Sequence, residues 1–118
     1  MLRLLLRGRQ QVAEVIAAGG CAAPDLIRYE VANALSTNVR AGLVSADKAE
    51  ALFERFEALP IEIVDSERLA APALKVAMSL PATAYDAAYL VLAGQRGALL
   101  LTADRRLARL AKRSQVVD

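Results

Sequence analysis

The sequence predicts an α/β fold in which a small, mainly parallel sheet is surrounded by helices. Short β-favouring runs alternate along the chain with longer helical stretches, the pattern of strand–helix–strand units. Apolar residues make up 56% of the chain, yet its aromatic residues are only Phe53, Phe56, Tyr29, Tyr85 and Tyr89. A core built mostly of Ala, Leu and Val favours closely packed helices over a large antiparallel sandwich. The 118 residues contain no linker rich in Gly, Pro or Ser and no repeat, so residues 1–118 are expected to form a single domain.

The elements follow from local signals. Residues 9–18 read as a helix closed by Gly19 and Gly20, and Cys21–Ala23 as a short buried strand before Pro24. Asp25 is a candidate N-cap for a helix from Leu26 to Val39 that ends near Gly42. Ser45 is the cap signal of the next helix, about Ala46 to Leu59, whose apolar stripe is Leu52, Phe53, Phe56 and Leu59. Pro60 stops it, and Ile61–Val64 favours a strand. Asp65 or Ser66 is then expected to cap a helix reaching about Met78. After Pro81, Thr83 is a cap for a helix from Ala84 to Gln95, which Gly97 ends. Ala98–Leu101 reads as a buried strand, Arg105–Ala111 as a last helix, and Val116–Val117 as an edge strand.

Composition removes several kinds of chemistry. Cys21 is the lone cysteine and histidine is absent, which rules out an internal disulfide and makes Cys/His zinc sites and a Ser-His-Asp hydrolase untenable. Carboxylates, lysines and hydroxyls must carry any chemistry, around a hard divalent ion if a metal is used. The opening Met-Leu-Arg-Leu-Leu-Leu-Arg is too short and too interrupted by Arg3 and Arg7 for a signal sequence. A cytoplasmic protein is expected. The net charge of +2 and isoelectric point near 9.0 permit nucleic-acid binding without demanding it.

Three acidic residues stand in apolar settings. Glu30 lies in Leu-Ile-Arg-Tyr-Glu-Val-Ala-Asn-Ala-Leu, Asp86 near the start of Ala-Tyr-Asp-Ala-Ala-Tyr-Leu-Val-Leu-Ala, and Asp104 just beyond the strand at Leu99–Leu101. The carboxyl end of a strand is where open α/β sheets place their ligand crevice. Each acid also has an ordinary structural explanation: a solvent-facing Glu30, a first-turn Asp86, a capping Asp104. Brought together, they would repel one another, and a divalent cation such as Mg²⁺ or Mn²⁺ is the natural compensation.

Three blocks resemble those of VapC-type PIN domains, which are toxin ribonucleases. They are Ala23-Pro24-Asp25-Leu26 through Glu30-Val31-Ala32-Asn33-Ala34-Leu35, Tyr85-Asp86-Ala87-Ala88-Tyr89-Leu90-Val91-Leu92-Ala93, and Leu100-Leu101-Thr102-Ala103-Asp104-Arg105-Arg106-Leu107. Their order and spacing agree with the family over essentially residues 9–118. The resemblance implies that Glu30, Asp86 and Asp104 bind Mg²⁺ or Mn²⁺, that Thr102 is the hydroxyl beside them, and that Asn33 is a polar neighbour on the same helix. It further implies RNA cleavage, a homodimer, and a small antitoxin occupying the active-site groove.

The family opens with a hydrophobic strand ending in an aspartate, whereas nothing before Glu14 is acidic here. An incomplete PIN-like domain, N-terminally truncated relative to the family, is therefore expected. It would lack the central strand and keep three of the metal-binding carboxylates. Leu2, Leu4 and Leu6 could form a replacement strand or extend the first helix.

Arg105 and Arg109, four apart in a basic run, are candidate RNA-phosphate contacts or simply a solvated helix face. Phe53 and Phe56 are expected in the core, with a dimer or antitoxin surface on the helix pair 26–39 and 46–59 as the other reading. Tyr85 and Tyr89 are also expected in the core, and Cys21 as a small buried residue. Two functions compete: a metal-dependent endoribonuclease, and a catalytically inactive PIN-like protein that binds an antitoxin, RNA or a partner subunit.

Overall fold

The short apolar runs Cys21–Pro24 (β1) and Ile61–Val64 (β2) lie side by side as parallel strands, in register from Cys21 opposite Ile61 to Pro24 opposite Val64. The structure is a computed structural model that describes Ile16, residues 19–97, and the backbone of residues 100–102 and 114–116. Between the strands run helices α1 (Ile27–Arg40) and α2 (Ala46–Glu57); after β2 come α3 (Ser66–Ser79) and α4 (Ala84–Arg96). Strands β3 (Leu100–Thr102) and β4 (Ser114–Val116) form a second parallel pair, Leu100 opposite Ser114 and Thr102 opposite Val116. Among the described residues the strands form two two-stranded sheets, both parallel, in keeping with the small, mainly parallel sheet expected. Helix α4 packs against both β1 and β3 and so joins the two pairs.

Element boundaries fall within a few residues of the sequence expectation. Ile16, the one described residue of the helix expected at 9–18, is helical and buried. The helix expected at 105–111 lies outside the described residues. Ser45 and Thr83 cap as expected, their hydroxyls accepting from the backbone N–H of Lys48 and Asp86, each at 3.1 Å. Gly97 ends α4 with φ +58°, a left-handed turn that glycine adopts without strain.

Two cap assignments are overturned. Leu26, not Asp25, occupies the N-cap position of α1, and no side chain caps that helix. Asp65 holds the N-cap position of α3 but makes no capping bond either. The cap of α3 comes from Asp25, whose carboxylate accepts from the Ser66 backbone N–H at 2.9 Å and the Ser66 hydroxyl at 2.5 Å. Strand register explains the exchange. Pro24 and Val64 end together, and the Asp25 N–H bonds the Val64 carbonyl at 2.9 Å. That bond carries the carboxylate to the open N–H groups and positive dipole end of α3.

The core lies between α1, α2 and the first sheet. Ala23, Ile27, Val31, Leu35 and Phe56 are buried together, with Phe53, Ile61, Ile63 and Tyr89 packed around them. Ile27, Val31 and Leu35 recur at helical spacing, and that periodic face seats α1 on β1. Phe53 and Phe56 meet at 5.7 Å between ring centroids, which bears out their assignment to the core. A second cluster joins Ala73 of α3 to Ala87 and Ala88 of α4, against Leu26 and Val91. At the opposite end of α4, Arg96 grips Glu62 of β2 through two bonds of 2.9 and 2.6 Å. Among the described residues no single helix is long and apolar enough to cross a bilayer.

Hydrogen bonds from Ser66 hold the Asp25 carboxyl below its ordinary value of 3.8, with the charge of Arg28 a smaller aid. Its stabilising effect is therefore complete above that value and fades as pH falls through the lowered one. Asp25→Ala should cost about 1–2 kcal/mol in urea denaturation at neutral pH, a gap to the parent that narrows in acid. Thr83→Ala should cost about 1 kcal/mol in the same measurement, and Thr83→Ser much less.

Candidate active site

Parallel strands bring their carboxyl ends to one edge, and the helices that follow begin there. At this edge Pro24, Asp25, Leu26 and Ser66 share a cleft of about 210 Å³ with Ala84, Tyr85 and Ala88 of α4. The start of α4 therefore sits beside the starts of α1 and α3. Glu30 and Asp86 both lie in the first turn of their helices, α1 and α4. Each carboxylate there is favoured by the positive end of its helix dipole.

Glu30 is tied to the helix of Asp86 by a residue that the sequence did not single out as functional. Tyr89, one turn beyond Asp86, donates its hydroxyl hydrogen to Oε1 of Glu30. Burial is the largest influence on the Tyr89 phenol, followed by the bond to Glu30, the charge of Glu30, and that of Asp86. All four push its pKa upward, so it stays a neutral donor across the ordinary pH range. Glu30 is half-buried and bonded across to α4, so the solvent-facing reading of it is set aside. The Tyr89 hydroxyl serves Glu30.

Other candidates divide clearly. Asn33 is exposed further along α1, where its backbone carbonyl accepts from the Ser36 hydroxyl at 2.9 Å. Thr102 ends β3, with its backbone in register with Val116. Asp104, Arg105 and Arg109 lie outside the described residues. Arg28 lines a cleft beside Asp25 and Tyr29 at the site edge, while Arg40 bonds Thr37 at the far end of α1. Tyr85 is a correction: it is 69% exposed, not in the core, because α4 turns its Ala87–Ala88 face inward and leaves Tyr85 on the rim. Tyr89 packs against the core as expected, but its hydroxyl serves Glu30. A half-buried Cys21 has its thiol pKa raised by burial, consistent with an inert residue.

The donor set suits a hard divalent cation. Glu30 and Asp86 supply carboxylate oxygens, and a Mg²⁺-like ion needs only one or two of these besides water and substrate oxygens. Among the described residues no group of three potential metal ligands gathers. The expected third ligand, Asp104, is not among them. A signal for Tyr89 was present in its spacing: three residues after Asp86, it shares that residue's helix face.

The PIN domain profile matches residues 2–113. Ribonuclease VapC3 from Pyrobaculum aerophilum is 42% identical over 88 residues, which cover 71% of this chain and 66% of that protein. The chain thus spans just under two thirds of that relative's length. The crystal structure of PAE2754 from Pyrobaculum aerophilum superposes with a TM-score of 0.71 at 30% identity, covering 81% of this chain and 71% of that one. On the profile match over nearly the whole chain and on these likenesses in sequence and fold, the chain belongs to the PIN domain family and is of the VapC type.

Proposed function

We propose that the chain is a metal-dependent endoribonuclease of a toxin–antitoxin system, hydrolysing RNA phosphodiester bonds. The observation that carries this reading is the hydrogen bond by which Tyr89, three residues after Asp86 on α4, holds Glu30 of α1 beside the carboxyl edge of β1 and β2. Glu30 and Asp86 would hold the Mg²⁺ or Mn²⁺ ion, with Asp104 as the third carboxylate and Thr102 as the neighbouring hydroxyl. When bound, the metal supplies Lewis acidity for activating water and for neutralising charge on the phosphate.

The chain's own residues supply the remaining functions. The positive dipole ends of α1 and α4 favour negative charge at Glu30 and Asp86, which lie in their first turns. Arg28 at the rim, and Arg105 and Arg109 from the basic run, offer phosphate contacts that position RNA without reading its sequence. With no histidine in the chain, protonation of the leaving oxygen falls to water at the site. Acting on RNA, such an enzyme works in the cytoplasm.

An antitoxin and a second copy of the chain are the partners proposed. A cleft of about 630 Å³ between α1 and α2, lined by Leu35, Val39 and Phe53 with Arg40 and Glu50, offers a partner surface. The same partner surface favours a second reading. In it the chain is a catalytically inactive PIN-like protein that binds an antitoxin, RNA or a partner subunit.

Purified chain should cleave a panel of single-stranded and structured RNAs with Mn²⁺, and lose cleavage in EDTA. Asp86→Asn should lower the rate by more than roughly 100-fold, since even hydrogen-bond partners of metal ligands commonly carry 10–100-fold. Absence of cleavage by the folded parent, with antitoxin or RNA binding retained, would establish the second reading instead.

A further inference from the structure

Glu30 is held by a partner with an unusual combination of properties. The ring of Tyr89 packs against the cluster of Ala23, Ile27, Val31, Leu35 and Phe56, so core packing restrains its position. Its hydroxyl donates to Glu30 Oε1 across the gap between α4 and α1. A glutamate side chain turns about three torsions, and a site that needs its carboxylate in one place must restrict them. A lysine or arginine could do so, but its charge would compete with a cation for the same carboxylate. A phenol directs the carboxylate while leaving the negative charge of the site intact.

We propose that Tyr89 is a positioning residue for Glu30: its core-anchored hydroxyl fixes the Glu30 carboxylate in the first turn of α1, ready for a divalent cation shared with Asp86. The assignment rests on the metal-dependent reading above and adds a residue on which that site depends. Tyr85 has no such part, being exposed on the rim one turn earlier in α4. Hydrogen-bond partners that orient metal-binding carboxylates typically carry 10–100-fold of the affinity. Loss of the Tyr89 hydroxyl should therefore be felt in metal binding itself, before any chemistry occurs.

The test is Mn²⁺ titration of the full chain by calorimetry, comparing the parent with Tyr89→Phe, Tyr85→Phe and Glu30→Gln. Tyr89→Phe is expected to bind Mn²⁺ at least about 10-fold more weakly. Tyr85→Phe should match the parent, and Glu30→Gln should lose binding. If Tyr89→Phe binds as tightly as the parent while Glu30→Gln does not, the positioning role is overturned and the metal-dependent reading stands. A lower melting temperature of metal-free Tyr89→Phe with unchanged Mn²⁺ affinity overturns it in the same way, by marking a purely structural tyrosine. A parent without saturable Mn²⁺ binding overturns both.

A second measurement covers the event that Tyr89→Phe does not fold. In the Tyr29→Phe/Tyr85→Phe chain Tyr89 is the sole tyrosine. Its ¹³C-labelled ring resonances should move on Mg²⁺ titration, and resonances that stay fixed while Mg²⁺ binds would refute the proposal.

Discussion

Helix α4 has to lie close to its neighbours before anything else at the site can be arranged. Ala87 and Ala88, 0% and 6% exposed, present almost no side chain to Ala73 of α3 and Leu26 beside β1. Small residues at a contact let helix axes approach, and larger ones would push them apart. That approach brings the Tyr89 hydroxyl within reach of Glu30, and the charge of Asp86 to bear on the same phenol. It also lets α4 touch both strand pairs, which share no hydrogen bonds among the described residues. Larger side chains at either alanine would disturb the site through α4 without touching a carboxylate.

Polar interactions at the sheet edge then set direction. Asp25 reaches across the carboxyl ends of β1 and β2 to Ser66, tying the exit of one strand to the first turn of the helix after the other. The capping residue of α3 is thus 41 positions away in sequence. Meanwhile Thr83 caps α4 locally and orients the first turn that holds Asp86. One long-range cap and one local cap together define the rim where α1, α3 and α4 start. The rim joins a buried apolar floor to carboxylates near open helix ends, a setting that concentrates field and favours cations.

Much of this was legible in the chain itself. Prolines, glycines and hydroxyl caps marked the helix limits closely, because those signals act within one turn of backbone and need no tertiary partner. Glu30 and Asp86 were visible as acids in apolar settings. Less legible was the division of labour between Tyr85 and Tyr89, which lie four apart and look equivalent in sequence. The structure exposes one at the rim and buries the ring of the other, since only one of the two directions meets α1.

The sequence by itself determined the α/β class, the strand and helix segments, and the apolar settings of Glu30 and Asp86, since periodicity and composition act locally. Only the tertiary structure decided where Asp25 caps, which tyrosine serves Glu30, and how the described strands pair. Those outcomes depend on strand register and helix approach, which place residues 41 and 59 positions apart within hydrogen-bonding distance. No local pattern encodes such a meeting, because it exists only once the apolar faces have packed.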